Sequence, residues 1–139
     1  MAQLGNITFY AEDPDRLARF WAGVFGYPPP DLDGFAEFMA TRGLSREDVE
    51  KRSMVEDPEG CGPRLYFHHA AGPKEGRNRI HLDVNLGSQH RDLAELEAEK
   101  DRLVGLGATV VRLVDQRWGE AHEQYFQLQD PEGNEFCLQ

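Results

Sequence analysis

A chain of 139 residues, 40% apolar and 29% charged, has the material for one ordinary globular core. Its formal net charge of −10 argues against nucleic acid and anionic membrane surfaces as partners, because both demand a basic face. No apolar run approaches the roughly 20 residues of a membrane span, and MAQLGNITFYAEDPD lacks the basic and apolar regions of a secretory signal; a cytoplasmic protein with reduced thiols at Cys61 and Cys137 is expected.

ITFYAED (7–13) is β-branched and aromatic and predicts a strand. Asp13, Pro14 and Asp15 then supply an N-cap, a first-turn proline and a first-turn acid. Leu17, Phe20, Trp21 and Val24 recur at helical spacing, and Gly26 is the natural stop. The three prolines of PPPDLDG (28–34) remove three donors, so at most a weak strand fits there. An apparent insert follows at 33–52. Phe35, Phe38, Met39 and Arg42 share one helical side ending at Gly43, and Ser45 with Asp48 forms a capping-box pattern. SMVEDPEGCGPRLYFHHA reads as a hairpin, with Asp57, Pro58 and Gly60 at favoured positions of a type I turn.

RIHLDVNL (79–86) predicts a strand, and a helical pattern runs from Ser88 or Gln89 to Leu106, closed by Gly107. Its apolar positions are Leu93, Leu96, Leu103 and Leu106. ATVVRLV (108–114) is the next strand, and EQYFQLQDPEGNEFCLQ repeats the hairpin with Asp130, Pro131 and Gly133 at its turn. The order is strand, helix, weak strand, hairpin, then strand, helix, strand, hairpin. Asn6 and His81 are 75 residues apart, and Asp57 and Asp130 are 73 apart. An offset near half the chain length marks a duplicated unit. The expectation is one α+β domain spanning 1–139, made of two βαβββ modules at about 5–69 and 79–138.

With DPDRLARFWAGVFGY, RNRIHLDV, LVGLGATVV and DPEGNEFCL in view, the chain resembles the vicinal oxygen chelate superfamily, the glyoxalase, bleomycin-resistance and dioxygenase group, in its glyoxalase-like branch. The resemblance implies curled mixed sheets around a cleft and a homodimer. It also implies that metal-dependent members draw ligands, typically His and Glu, from the first and last strands of each module. Carried over by position, the quartet is Asn6, Tyr66, His81 and Cys137, with Cys137 where a Glu is usual. Only His81 and Cys137 are good transition-metal ligands, and a catalytic ion usually takes about three.

His81 is a ligand, a hydrogen-bonding partner or a base, or else a satisfied half-buried side chain. Cys137 is read as a small apolar residue rather than a nucleophile. Tyr66 presents its hydroxyl or packs. Glu135 shares a strand face with Cys137, and its carboxylate needs a partner if buried. Trp118 sits in a loop and either lids the cleft or packs. His68 and His69, being adjacent, point to opposite faces. Lys74, Arg77 and Arg79 form a basic cluster in an acidic chain, read as a solvated loop ahead of an anion-attracting one. The expected function is binding of a small organic molecule in a cleft lined by Asn6, Tyr66, His81, Glu135, Cys137 and Trp118. No metal cofactor is expected; His81 and Cys137 would be its ligands if one were present. The alternatives are a metal-dependent glyoxalase- or dioxygenase-type enzyme using His81, and a structural module with a vestigial cleft.

Overall fold

The structure, a computed structural model, describes residues 1–87 and 92–139. The protein is a mixed α+β chain that divides into two compact units, Met1–Pro73 and Lys74–Gln139, each carrying its own small mixed sheet.

In unit one, strand β1 (Asn6–Ala11) leads into helix α1 (Pro14–Phe25). The helix starts where the Asp13 side chain accepts from the Arg16 N–H, and it stops at Gly26, whose φ of 69° suits a residue without Cβ. Leu17, Phe20, Trp21 and Val24 are all buried. Trp21 meets Phe9 of β1 at 5.3 Å between centroids, and Phe9 stacks on Phe67 at 5.2 Å. Helices α2 (Leu32–Ala40) and α3 (Arg46–Glu50) follow, then β2 (Arg52–Val55) and β3 (Arg64–His69). The Ser45–Asp48 capping box is present in both directions. The sheet order is β1-β3-β2, with β1 and β3 parallel and β2 and β3 antiparallel. The weak strand expected around 28–34 is absent: the prolines at 28–30 have no regular structure and α2 begins instead, with Asp31 capping the Gly34 N–H. Unit one therefore has three strands rather than four.

In unit two, β4 (Leu82–Val84), α4 (Leu93–Leu106), β5 (Thr109–Trp118), β6 (Ala121–Gln129) and β7 (Glu135–Leu138) form a sheet of order β4-β7-β6-β5. The expected start of the second helix at Ser88 or Gln89 lies outside the described residues; the described helix is capped by Asp92 and ends at Gly107. Leu96 and Leu103 are buried, whereas Leu106 is 40% exposed. Lys100 lies over the Phe126 ring, so α4 covers the face that carries Phe126. Phe126 pairs with Leu138 and Leu128 with Phe136, which puts all four on that face.

The two DPEG turns use one device. Gly60 N–H donates to the Asp57 carbonyl and Gly133 N–H to the Asp130 carbonyl. The Asp57 side chain accepts from the N–H groups of Glu59, Cys61 and Gly62, and these bonds, led by that of Glu59, hold its carboxyl below the usual range. The Asp130 side chain accepts from the N–H groups of Glu132 and Asn134 and from the Asn134 amide.

Candidate functional site

Because Phe136 and Leu138 face α4, the alternation of β7 turns Glu135 and Cys137 to the opposite face. A pocket of about 570 Å³ lies there, within unit two. Its wall includes Arg77 and Arg79 from the loop before β4, His81, Arg112 of β5, Gln127 of β6, and Cys137. Arg112 Nε donates to Gln127 Oε1 at 2.7 Å, which fixes the guanidinium across the β5–β6 pair.

Arg112 reaches this face through a bulge. The register shifts between Val110 and Arg112, so Val110 pairs with Leu128 and Arg112 with Gln127. Strict alternation would put Val111 and Arg112 on opposite faces, yet both line the pocket.

His81 does not stand in a strand, because β4 is only three residues long and starts at Leu82. Its Nε2 lies 3.2 Å from Asp83 Oδ1, and both side chains are about half exposed. Asp83 pairs with Cys137 across the parallel β4–β7 ladder. Donor atoms of His81, Asp83 and Cys137 all lie within 4.8 Å of one another. The thiol is 7% exposed. Burial pushes its pKa up, Asp83 adds to this by charge and by hydrogen bonding, and Arg112 and Arg77 pull weakly the other way. It is a neutral thiol at pH 7, not an activated nucleophile.

In number and type, His81, Asp83 and Cys137 could hold a divalent transition metal, which would supply Lewis-acid chemistry there. Asp83 is the donor that sequence reasoning passed over. The signal was present: His81 and Asp83 stand two apart in a strand pattern and so share a face.

Glu135 has the partners its half-buried carboxylate requires. The Asn78 N–H donates to Oε2 at 2.9 Å, and Lys74 Nζ lies 3.2 Å from the same oxygen. Burial alone would raise its pKa, but the Asn78 N–H and Lys74 together hold it low. The basic loop is thus anchored at Lys74 and Asn78, and Arg77 and Arg79, both still exposed to solvent as expected of that loop, stand at the pocket wall. A depressed folded pKa contributes stability above the ordinary carboxylate range, lost as pH falls through the folded value. Lys74→Ala is expected to cost about 0.5–1 kcal/mol at pH 7 and less at pH 3, read by urea unfolding at both.

Trp118 is not in a loop. It closes β5, pairs with Ala121, and donates from Nε1 to Glu123 Oε2 at 3.0 Å. Gly119, at φ 61°, opens a two-residue turn, so the strands run right up to it. The ring is 68% exposed and lies roughly 20 Å along the strand from Arg112, too far to lid this pocket. Asn6 and Tyr66 belong to unit one. There Asn6 pairs with Arg64 and Tyr66 with Thr8, so both side chains lie on the sheet face away from α1. His69 Nδ1 is held by the Glu12 carbonyl at 3.1 Å, while the His68 ring stacks on Tyr10 and lies tilted against Tyr66.

Two small mixed sheets with these connections define a protein of the glyoxalase/bleomycin resistance/dioxygenase fold. Residues 6–139 match the glyoxalase-like domain, and the chain belongs to that family, within the vicinal oxygen chelate superfamily. A glyoxalase/bleomycin resistance protein/dioxygenase family enzyme from Burkholderia phytofirmans is similar in structure at 14% identity, with a TM-score of 0.62 over 99% of this chain and 97% of that one. A fosfomycin resistance protein from Listeria monocytogenes, in complex with Mn(II) and dihydroxypropylphosphonic acid, is similar at 12% identity and a TM-score of 0.63, covering 99% and 89%. The lactoylglutathione lyase of Agrobacterium tumefaciens is similar at 19% identity and a TM-score of 0.55, covering 99% and 92%. A comparison with curated proteins gives no match. Among the described residues, no helix is long and apolar enough to cross a membrane.

Proposed function

We propose that the protein binds a small organic anion in the unit-two pocket, without a metal, as a resistance or sequestration protein or as the binding step of an unidentified reaction. The observation that carries this reading is the arginine wall: Arg77, Arg79 and Arg112 converge on one pocket in a chain of net charge −10. Arg112 is held in place by Gln127, so its planar fork is pre-organised for a carboxylate, phosphate or phosphonate. Cys137 leaves the floor small and uncharged. A divalent cation at the same place would sit against three guanidinium groups, whereas an anion is attracted by all of them. The phosphonic acid bound by the Listeria relative belongs to the ligand class favoured here. The family resemblance and the free thiols Cys61 and Cys137 further support a cytoplasmic homodimer.

The test is calorimetric titration of metal-stripped protein with small carboxylates, phosphates and phosphonates. Saturable binding is expected, with Arg112→Ala weakening it by about 10- to 100-fold, the value of one charge-assisted hydrogen bond. A chelator is expected to change neither affinity nor Tm. Binding that appears only with added metal overturns the reading.

A second reading, a metal-dependent enzyme, is favoured by the convergence of His81, Asp83 and Cys137. About one equivalent of zinc, iron or manganese per purified chain, lost in His81→Ala, would establish it in place of the first.

A further inference from the structure

Unit one contains a pocket of its own, of about 840 Å³, lined by unit-one residues. It lies on the sheet face away from α1. Met54 and Tyr66 are paired on that face, while the neighbouring pair Ser53 and Phe67 is fully buried on the other. Helix α2 forms the opposite wall with Phe35, Phe38 and Met39, and the prolines at 28–30 close one end. The helix stands off from the sheet. Phe35 is its one buried residue, and Phe35 meets Tyr66 only edge to face, at 6.4 Å between centroids. Phe38, next along the same side, is half exposed.

The sheet face below is mixed, with Met54 and Tyr66 beside Arg64 and His68, so it does not draw the apolar side of α2 down onto it. Here the prolines set the approach of the chain, and the Asp31 cap and the Ser45–Asp48 box fix the two helix starts. The gap has the size of a small-molecule site. Its walls present three aromatic rings, two thioethers and proline rings, all suited to a flat unsaturated molecule. Its lining carries three carboxylates, Asp31, Glu56 and Asp57, against one lining cation: Arg64 is ion-paired with Glu56, Asp31 caps Gly34, Asp57 holds its own turn, and Arg42 lies over Phe38 at the edge. Aromatic faces ringed by excess carboxylate select positive charge. Arg42, 3.9 Å above Phe38, shows that ring already serving a cation.

We propose that this pocket binds a planar organic cation, an aromatic amine or a quaternary heteroaromatic, with its ring system between Phe38 and Tyr66 and its charge toward the carboxylates. Helix α2 is then the specificity element of unit one. The two pockets take ligands of opposite charge.

Thioflavin T, a planar cation whose fluorescence rises when it is immobilised, is the probe. One saturable site per chain is expected, weakened roughly tenfold by Phe38→Ala through loss of one ring face. Met54→Trp, which fills the gap, should abolish binding. Arg112→Ala, in unit two, should leave it unchanged, while weakening the anion of the preceding section. Circular dichroism and Tm show whether each variant is folded; Phe38 is half exposed, so its truncation leaves the core intact. No saturable binding, binding indifferent to Phe38→Ala, or a neutral analogue of the dye bound as tightly overturns the proposal.

Discussion

Asp130→Ala is expected to destabilise the protein by about 3 kcal/mol, lowering Tm by roughly 10 °C. The carboxylate is 2% exposed. Oδ1 accepts the Glu132 and Asn134 N–H groups at 2.9 Å each, and the Asn134 amide lies 2.9 Å from Oδ2. Removing it strands these donors in a part-buried turn, where water replaces the lost bonds poorly. The backbone of the same turn closes β6 onto β7 through Asp130 N–H to the Asn134 carbonyl, so the loosening reaches the strand that carries Glu135 and Cys137. Asp130→Asn keeps one acceptor oxygen and should recover most of the loss. The matching Asp57→Ala removes the same device from a more accessible turn and should cost less, because water can replace the carboxylate there. Chemical unfolding of the three variants makes the comparison. Equal, small losses at Asp130 and Asp57 would show that burial is not what distinguishes the two turns.

Cys137→Glu is expected to be the most damaging change in the unit-two pocket, at about 2–3 kcal/mol in metal-free buffer. The position is 7% exposed, and Asp83, its partner across the ladder, already disfavours negative charge on the thiol. Arg112 and Arg77 offset part of this, since they pull in the opposite direction. The new carboxyl should therefore have a raised folded pKa. A group of that kind takes up protons on folding, so the loss deepens as pH rises from the ordinary carboxylate range through the raised folded value and shrinks as pH falls. The variant also sets one histidine and two carboxylates together, a better site for a hard divalent ion than the native set. Added zinc or manganese should restore Tm in the variant and do little in the parent. Parental stability without any metal response would place the Cys137 side chain outside the pocket.

Much of the fold was legible because it is encoded over short distances. Asp13 and Gly26 bound α1, Ser45 and Asp48 start α3, and each DPEG turn folds on its own aspartate; all of these act within a few residues. The four-strand expectation for unit one failed at residues 28–34. Local composition excluded a central strand there, but not the helix whose cap is Asp31. Trp118 was misplaced because Gly119 and Glu120 look like a loop, and a two-residue hairpin turn shows itself only when the strands on either side pair.

The pocket followed the same division. Cys137 and Glu135 share a face by the two-residue period of any strand, and the basic loop 74–79 stood out in an acidic chain. Asp83 needed only that period applied to His81. Arg112 was beyond reach. Its direction depends on the extra residue at Val111, and a bulge exists only relative to the partner strand it fails to match. The sequence by itself determined the ends of α1, the start of α3, the DPEG turns and the family, because capping, turn geometry and alternation are decided among near neighbours. Tertiary structure alone decided which charges meet in the pocket and what the insert covers, because cross-strand register and the packing of α2 over Tyr66 join residues whose separation along the chain carries no local signal.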